Sequence, residues 1–372
     1  MRLLFVPSFV ESDRAGQPEA SSDSVGYGVT SSRALISALE SQGYEITVAA
    51  VTAEVRGTEW VPAVLQALHD RLSRRVPDAV LSFHAFSPFA ADVRRMLDDL
   101  HIQVPFVAYT HGSHWDPTDL FRSERYPSLR WADLGNLLAA DRVLTPSEYL
   151  RETISANVAR VCRDAAVDLE GRLRVVGLPI DSARLERTRR PKDSTPPTVL
   201  FNHAMIPAKR PEAFLRILPE LFRASDCRVV MTRASLASER YGAPLSHLVA
   251  RFPDRLIVGG HLRLDEYYAT LWESSVQVST ASHEAFGVAT LEAMATHNYC
   301  CLPRIGSYPE LVAGVTQTLY ESDEELPGKI LSAFGDDEGL SATAAALAGR
   351  ARDFSPETVA GHVSRVISEV AS

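Results

Sequence analysis

The stretch that decides the fold runs from Ser279 to Pro309 and reads STASHEAFGVATLEAMATHNYCCLPRIGSYP. It begins at the end of an apolar segment, 276–280, whose composition predicts a buried strand. A helical pattern follows, and the chain then enters a second apolar run, 299–302. Strand, helix and strand in this order form the unit of a parallel sheet. A ligand site is expected where the first strand ends, because open parallel sheets bind ligands beyond the carboxyl ends of their strands.

The start of that helix combines a glycine with two carboxylates. If the helix begins near Phe286 or Gly287, its first N–H groups and positive dipole end form an anion site, and Gly287 has no Cβ to keep a diphosphate away. Glu284 lies just before the start, and Glu292 lies further along, where side chains tilt back toward the amino end. One helix could thus hold a sugar, a diphosphate and a ribose in order. An amphipathic helix with two solvated carboxylates is the alternative.

The string EAFGVATLEAMA, residues 284–295, resembles the signature of the family 4 retaining glycosyltransferases. The resemblance implies the GT-B fold, an α/β architecture of two Rossmann-like domains that face a central cleft. It also implies the roles of the motif residues. Glu284 would contact the donor sugar as a catalytic residue and Glu292 would bind the ribose, while the phosphates would be held by the backbone at Phe286, Gly287 and Val288.

Other segments extend this resemblance over most of the second half of the chain. Residues 265–272, DEYYATLW, are similar to the family's helix before the motif strand, and 306–310, GSYPE, to its later glycine-rich loop. Upstream, 142–150, RVLTPSEYL, and 177–181, GLPID, are similar to two further segments of the family. In the second of these a Gly-Leu-Pro sequence replaces the family's Asn-Gly.

A second candidate segment is FNHAMIPAKRPE, residues 201–212. Lys209 resembles the family's phosphate-binding lysine, which implies a catalytic role in neutralising the departing diphosphate. The family usually has an arginine a few residues earlier, and Ala204 stands there in this chain. Arg210 or Arg233 is therefore a hypothetical source of the second positive charge at the cofactor-binding site. A solvated loop lysine is the alternative for Lys209.

The N-terminal half offers a candidate in YTHGSHWD, residues 109–116, at the end of a predicted strand. His111 resembles the family's active-site histidine, which lies near the donor sugar. An ordinary loop histidine explains His111 equally well and explains His114 better. We propose no metal site, because the two histidines have no third ligand at a diagnostic spacing.

Two glycines near the N-terminus, Gly26 and Gly28 in SVGYGVT, could let the backbone approach a diphosphate. A pair of this kind is a weak signal, because turns also use glycine for positive φ. The polar stretch 11–27 could form a loop that closes over the acceptor, and a plain surface loop is the equal alternative.

Alternating apolar and amphipathic segments predict two parallel sheets. The stretch 187–198, RTRRPKDSTPPT, is rich in proline and has no apolar periodicity, so it predicts a linker. The expected domains are 1–186 on the acceptor side, 199–354 on the donor side, and a C-terminal helix, 355–372, that could return to the first domain. The predicted strands are Leu3–Phe9, Tyr44–Val51, Asp78–His84, Pro105–Thr110, Arg142–Thr145 and Arg172–Val176, then Val199–His203, Cys227–Thr232, Arg255–Val258, Val276–Thr280 and Tyr299–Leu302.

Composition excludes several classes of protein. The chain has 372 residues, 45% of them hydrophobic, and a formal net charge of -9, which makes nucleic acid a poor partner. The apolar N-terminal run is too short to span a bilayer. The four cysteines show no C-x-x-C pair and fit reduced, buried thiols in a cytoplasmic protein. Three arginines on a predicted helix, 64–76, could contact an anionic membrane peripherally, and a solvated helix face explains them as well.

The resemblance implies a retaining transfer from a nucleotide-diphosphate sugar to an acceptor hydroxyl, with no required metal. UDP-, GDP- and dTDP-sugars all remain open as donors, and the expected acceptor is a small molecule. Two alternatives stay open. One is a non-catalytic sugar-nucleotide sensor, motivated by the missing arginine at Ala204, and the other is a sugar-nucleotide epimerase of the same fold.

Overall fold

The computed structural model describes residues 1–7, 27–49, 60–86, 89–119, 127–192, 196–260 and 262–371. These residues form two compact units. The first consists of Met1–Pro179 with Pro356–Ser372, and the second is Ile180–Ser355. Each unit contains one parallel sheet of six strands among the residues described.

The strands of the first unit lie in the order β2-β1-β3-β4-β5-β6, and those of the second in the order β12-β11-β10-β7-β8-β9. All the pairings are parallel. The central strands are buried on both faces, which explains their continuous Val, Leu and Phe runs. The bounds are β1 Arg2–Val6, β2 Glu45–Val48, β3 Ala79–Ser82, β4 Phe106–Tyr109, β5 Arg142–Thr145, β6 Leu173–Val175, β7 Thr198–Phe201, β8 Arg228–Met231, β9 Leu256–Val258, β10 Val276–Val278, β11 Tyr299–Pro303 and β12 Leu319–Tyr320.

Helices connect the strands in both units, as parallel pairing requires. Short 3₁₀ turns lie at Pro207–Lys209, Thr316–Thr318 and Arg352–Phe354. The α-helices are α1 Tyr27–Ser41, α2 Trp60–Arg74, α3 Ala90–Asp99, α4 Leu129–Ala139, α5 Glu148–Ala159, α6 Arg163–Glu170, α7 Ser182–Arg187, α8 Pro211–Ala224, α9 Gly242–Arg251, α10 Leu264–Glu273, α11 Val288–Ala295, α12 Tyr308–Leu311, α13 Glu325–Phe334, α14 Asp337–Ala351 and α15 Pro356–Ala371.

In the second sheet the connection changes direction at β7. This strand lies between β8, which follows it in the chain, and β10, which comes later. Loops leaving β7 and β10 therefore depart to opposite sides and leave a crevice at their carboxyl ends, which is where open α/β sheets bind ligands. The fold thus places the segment after β10, 279–287, beside the segment after β7, 202–209.

The C-terminal helix α15 completes the first unit. Its inward face carries Val359, Val363 and Ile367, all fully buried. The hydroxyl groups of Tyr44 and Ser364 are 2.7 Å apart, which joins α15 to the turn after α1. The return of this helix to the N-terminal domain, which the sequence suggested, is confirmed.

Every strand predicted from the sequence is present, and the α/β fold with two Rossmann-like sheets is confirmed. The prediction missed β12, which has two residues and carries no usable pattern. The two units divide after Pro179, ahead of the expected linker 187–198. The division comes before the linker because α7 packs on α10 and so belongs to the second unit. In this contact Trp272 Nε1 donates a hydrogen bond to the Leu185 carbonyl at 2.8 Å.

Several of the weaker expectations concern the N-terminal region. Gly26 and most of the stretch 11–27 lie outside the described residues, while Gly28 lies in the first turn of α1 and not in a loop before it.

Three of the cysteines are buried, and Cys162 is half-buried. No helix in the described part of the chain is long and apolar enough to cross a bilayer.

We expect Ile367→Ala to destabilise the first unit by roughly 2 to 4 kcal/mol, because the change opens a cavity between α15 and the sheet. Hydrogen exchange should show the lost protection in α1, α15 and the first sheet. Ser368→Ala, one position along on the exposed side of the same helix, is the control. Loss of protection confined to the second unit would contradict this assignment of α15.

Candidate functional site

The candidate site lies at the carboxyl edge of the second sheet. Because β7, β8, β10 and β11 are parallel, the segments that follow them start at one edge. These segments carry most of the residues selected from the sequence, together with several that were not. They are Asn202, His203, Lys209 and Arg210 after β7, Arg233 after β8, Glu284, Phe286 and Gly287 after β10, and Gly306 and Tyr308 after β11.

Gly287 is the residue that allows α11 to begin where it does. It caps the helix with φ 97°, in the left-handed region that favours glycine. A Cβ at this position would lie 3.1 Å from Cε1 of Tyr308 and 3.3 Å from Cδ2 of Leu311. Val288 is the first residue of the helix. The first-turn N–H groups have no acceptor within the helix, and the dipole adds positive potential, so the helix start favours an anion.

Phe286 lies in the loop between β10 and α11, directly before Gly287. Its side chain is buried, and its ring packs edge-on against Phe354 with the ring centroids 5.2 Å apart. This contact anchors the loop between β10 and α11.

Lys209 and Glu284 form an ion pair at the centre of the site. Lys209 Nζ lies 2.6 Å from Glu284 Oε2, and the two side chains are 17% and 14% exposed. The Tyr308 hydroxyl is 3.3 Å from the same carboxylate oxygen. Burial acts to raise the pKa of Glu284, but the positive charge and hydrogen bond of Lys209 outweigh it and the pKa is lowered. Glu284 is therefore ionised at neutral pH.

The loop after β11 fixes the backbone of Glu284. Ser307 donates from its N–H to the Glu284 carbonyl at 3.0 Å. Gly306 has φ 52°, and a Cβ there would lie 2.3 Å from the same carbonyl oxygen. Two loops that are distant in sequence therefore touch at a point where only glycine fits. The sequence 306–310 resembles a glycine-rich loop, but no local signal indicates that it holds Glu284.

Glu292 lies on α11 and is 7% exposed. Its Oε2 accepts a hydrogen bond from the Tyr267 hydroxyl at 2.7 Å, and the Tyr268 hydroxyl is 3.4 Å from its Oε1. Burial raises the pKa of Glu292 to about 6, although the hydrogen bond from Tyr267 and the charge of Arg233 act to lower it. Both tyrosines lie in the segment 265–272, which resembles the family. No sequence signal indicates that they contact a carboxylate.

His203, which the sequence analysis passed over, lies at the end of β7. Burial, together with the positive charges of Lys209 and Arg233, lowers its pKa to about 3. The imidazole is therefore neutral at physiological pH. Its Nε2 lies 3.2 Å from the Gln277 amide nitrogen and accepts from it. A single histidine after a strand carries no sequence signal that would have selected it.

The two arginines proposed to replace the missing one differ in position. Arg210 caps α8 with φ 44°, and its guanidinium makes a two-pronged ion pair with Asp323, at 3.2 and 2.5 Å. Arg233 is exposed in the turn after β8, and its charge acts on the pKa values of His203, Tyr267 and Glu292. Arg210 is therefore already paired with a carboxylate, whereas the Arg233 side chain is exposed at the same edge of the sheet.

His111 belongs to the first unit, where it follows β4. Its Nε2 lies 2.5 Å from the Phe83 carbonyl oxygen, and a carbonyl only accepts, so this nitrogen carries the proton. The ring lies parallel to that of Tyr109, with centroids 5.4 Å apart, and is 8% exposed. The neighbouring His114 is held through its backbone N–H by Asp133. No group of three His, Cys, Asp or Glu side chains in the described ranges is placed to hold a metal ion.

We expect Glu292→Gln to stabilise the folded protein at neutral pH. Since folding raises the pKa of Glu292 from its usual 4.5 to about 6, the native state binds more protons than the unfolded chain between those values. The free energy of unfolding therefore falls as pH rises from 4.5 to about 6. Above this range the ionised, buried Glu292 costs the folded state about 2 kcal/mol. Urea unfolding at pH 8 should show the gain, which should vanish near pH 4. Equal stability at both pH values would contradict the raised pKa, and Glu273→Gln, exposed on α10, is the control.

We expect Lys209→Met to destabilise the second unit by roughly 1 to 3 kcal/mol at pH 7, because Glu284 then keeps a buried charge without its partner. The pKa of Glu284 is lowered in the folded state, so the pair stabilises the protein above the usual value and this contribution is lost as pH falls. Unfolding of the double variant Lys209→Met/Glu284→Gln should recover most of the loss. Lys329→Met, which removes a lysine hydrogen bond to a backbone carbonyl, is the control. A loss of stability in Lys209→Met that does not depend on pH would contradict the role of the ion pair.

The chain is similar to known sugar-transferring enzymes. No protein-family model matches it. A curated relative, the tRNA-queuosine alpha-mannosyltransferase of Drosophila melanogaster, is 29% identical over 135 residues, which span 36% of this chain and 34% of that relative.

Solved structures match over nearly the whole chain. Sucrose-phosphate synthase from Thermosynechococcus elongatus has a TM-score of 0.71 at 15% identity, covering 99% of this chain and 98% of the other. HepE from Anabaena, solved in complex with UDP, has a TM-score of 0.68 at 14% identity, covering 99% and 100%. With its two parallel six-stranded sheets, the chain has the GT-B fold of these glycosyltransferases.

Proposed function

We propose that the chain is a retaining glycosyltransferase that moves a sugar from a nucleoside-diphosphate donor to the hydroxyl of a small-molecule acceptor. The observation that carries the proposal is the Lys209–Glu284 pair beside the start of α11, with Glu292 on the same helix. A cation, a helix amino terminus and two carboxylates at one sheet edge match the three parts of such a donor. The diphosphate needs positive potential, and the sugar and ribose need acceptors for their hydroxyl groups.

In the proposed complex the diphosphate lies between Lys209 and the first N–H groups of α11. Phosphate oxygens then replace Glu284 as the partner of Lys209, and Arg233 supplies the second positive charge. Glu284, released from the ion pair, accepts hydrogen bonds from the sugar. Glu292 accepts from the ribose. Glu292 is already held by the Tyr267 hydroxyl, which reduces the conformational entropy that binding must overcome.

The chemistry is a substitution at the anomeric carbon. The bond from this carbon to the β-phosphate oxygen breaks and its electron pair stays on the phosphate, while the acceptor oxygen forms the new bond on the same face. The acceptor proton passes to the leaving phosphate. Lys209 and the α11 N–H groups stabilise the charge that develops on that phosphate, which is the main electrostatic task of the site.

Three further observations support the proposal. HepE, which shares the fold, has been solved with UDP, and the curated relative is named a tRNA-queuosine alpha-mannosyltransferase, a name that supports sugar transfer. The net charge of -9 favours a small acceptor over a nucleic acid. The Glu284–Glu292 arrangement favours transfer over epimerisation of the nucleotide sugar, because it resembles the retaining-transferase signature.

We expect one class of UDP-, GDP- or dTDP-sugar to raise the melting temperature of the wild-type chain, since a ligand that binds only the folded state stabilises it. The shift should disappear in Lys209→Met and in Glu292→Gln, and it should persist in the control Glu273→Gln. The measurement is a thermal-shift screen at pH 7.5. A shift that survives both site variants would place the nucleotide elsewhere and contradict the proposal.

Product analysis separates transfer from the alternatives. With the bound donor and a panel of hydroxylated acceptors, proton NMR should show a glycoside with the donor's anomeric configuration. An inverted product would refute retention, and an epimerised nucleotide sugar would support the epimerase. Binding without any release of nucleotide from sugar would support a sensor.

A further inference from the structure

Glu292 lies at one end of a chain of buried polar side chains. The others are Gln277 in β10, Asn202 after β7 and Tyr267 in α10, and Gln277 and Asn202 are fully buried. The Gln277 amide nitrogen lies 3.2 Å from Asn202 Oδ1, Asn202 Nδ2 lies 3.1 Å from the Tyr267 oxygen, and that hydroxyl lies 2.7 Å from Glu292 Oε2. Four residues from four different segments thus converge at the point where the sheet changes direction.

The direction of these hydrogen bonds is fixed by one backbone carbonyl. Asn202 Nδ2 lies 2.8 Å from the Ala289 carbonyl oxygen, which can only accept, so the amide nitrogen must face that side. Asn202 Oδ1 then faces Gln277 and accepts from it. Because Asn202 donates its second N–H to the Tyr267 oxygen, the Tyr267 proton is left to point at Glu292.

We propose that Tyr267 is a positioning residue for Glu292: Gln277 and Asn202 orient its hydroxyl, which holds one carboxylate oxygen and leaves the other to accept from a ligand's hydroxyl group. The Tyr268 hydroxyl, at 3.4 Å from Oε1, is at the limit of a hydrogen bond and holds that oxygen only weakly. Assigning the ligand's hydroxyl groups to a ribose rests on the proposed function. The orientation of Glu292 itself does not.

A positioned, ionised carboxylate selects for hydroxyl donors. It accepts hydrogen bonds and donates none, so a ribose with both hydroxyl groups satisfies it, whereas a 2′-deoxyribose leaves an acceptor unpaired. A site that hydrogen-bonds a substrate hydroxyl discriminates strongly against the analogue that lacks it. The network therefore favours UDP and GDP as donor nucleotides over dTDP.

The surroundings of Glu292 make its charge depend on this network. The ionisable groups near it are Tyr267 and Tyr268 on α10, Arg233 after β8 and Asp181 before α7. Burial favours the neutral form of the carboxyl, and the Tyr267 hydroxyl opposes burial. Loss of that hydroxyl should shift Glu292 toward protonation at a pH where the wild type is ionised.

The first experiment needs no ligand. Urea unfolding of wild type, Tyr267→Phe, Glu292→Gln and the double variant is followed from pH 4.5 to 8. Tyr267→Phe should lower the folding equilibrium constant in both backgrounds. At pH 8 we expect this loss to be roughly tenfold larger with Glu292 present than in the Glu292→Gln background, and at pH 4.5 we expect the two losses to be nearly equal. Equal losses in both backgrounds at every pH would overturn the proposal.

The second experiment uses nucleotides. UDP, GDP and 2′-deoxy-UDP are titrated by calorimetry into wild type and Tyr267→Phe. We expect wild type to prefer a ribonucleotide, and Tyr267→Phe to lose roughly tenfold in its affinity at pH 7, to regain part of it at pH 8.5 and to discriminate less against the deoxy analogue. An unchanged pH profile and an unchanged discrimination in Tyr267→Phe would overturn the proposal.

Tyr299→Phe is the matched control. Its hydroxyl is also held in the second unit, by the Gln317 carbonyl at 3.2 Å, but has no contact with Glu292 among the described hydrogen bonds. It should cost stability without moving either pH profile, and a shift as large as that of Tyr267→Phe would overturn the assignment. If no nucleotide binds the wild type, the proposed function fails. The positioning role is then decided by the unfolding data alone.

Discussion

The ion pair between Lys209 and Glu284 is the interaction on which the rest of the site depends. It keeps two charges in a mostly buried place that neither would occupy alone. It also ties the segment after β7 to the segment after β10, at the point where the sheet changes direction. In the proposed function a donor phosphate competes with Glu284 for the lysine, so this pair is the interaction that donor binding must separate.

Around this pair, backbone and burial set what each group can do. Gly287 and Gly306 take left-handed conformations, and a Cβ on Gly306 would collide with the Glu284 carbonyl, so glycine at both positions lets α11 begin beside Glu284. Burial then acts differently on the two glutamates. Glu284 stays ionised because the charge of Lys209 outweighs burial, whereas burial raises the pKa of Glu292 to about 6 against the smaller, lowering effects of its tyrosine hydrogen bonds and of Arg233. The same helix therefore presents two carboxylates with different proton affinities.

The fold and the main site residues could be predicted from the sequence because both leave local signals. Strands show as apolar runs, and the string 284–295 places the two glutamates and Gly287 on one helix start. The rest depends on contacts between segments far apart in the chain. Tyr267 meets Glu292, and Asn202 meets Gln277, only after the sheet has formed. The ion pair of Arg210 with Asp323 could not be predicted for the same reason. Because of this pair, Arg233 is the preferred candidate for the second positive charge in the proposed function.

The most direct test of the proposed donor site is a crystal structure of the chain with UDP or GDP bound. We expect a β-phosphate oxygen to lie within hydrogen-bonding distance of Lys209 Nζ and of the first N–H groups of α11. Glu284 should then have left the lysine, and the ribose hydroxyl groups should meet Glu292. A nucleotide bound elsewhere, or bound with the Lys209–Glu284 pair intact, would contradict this assignment.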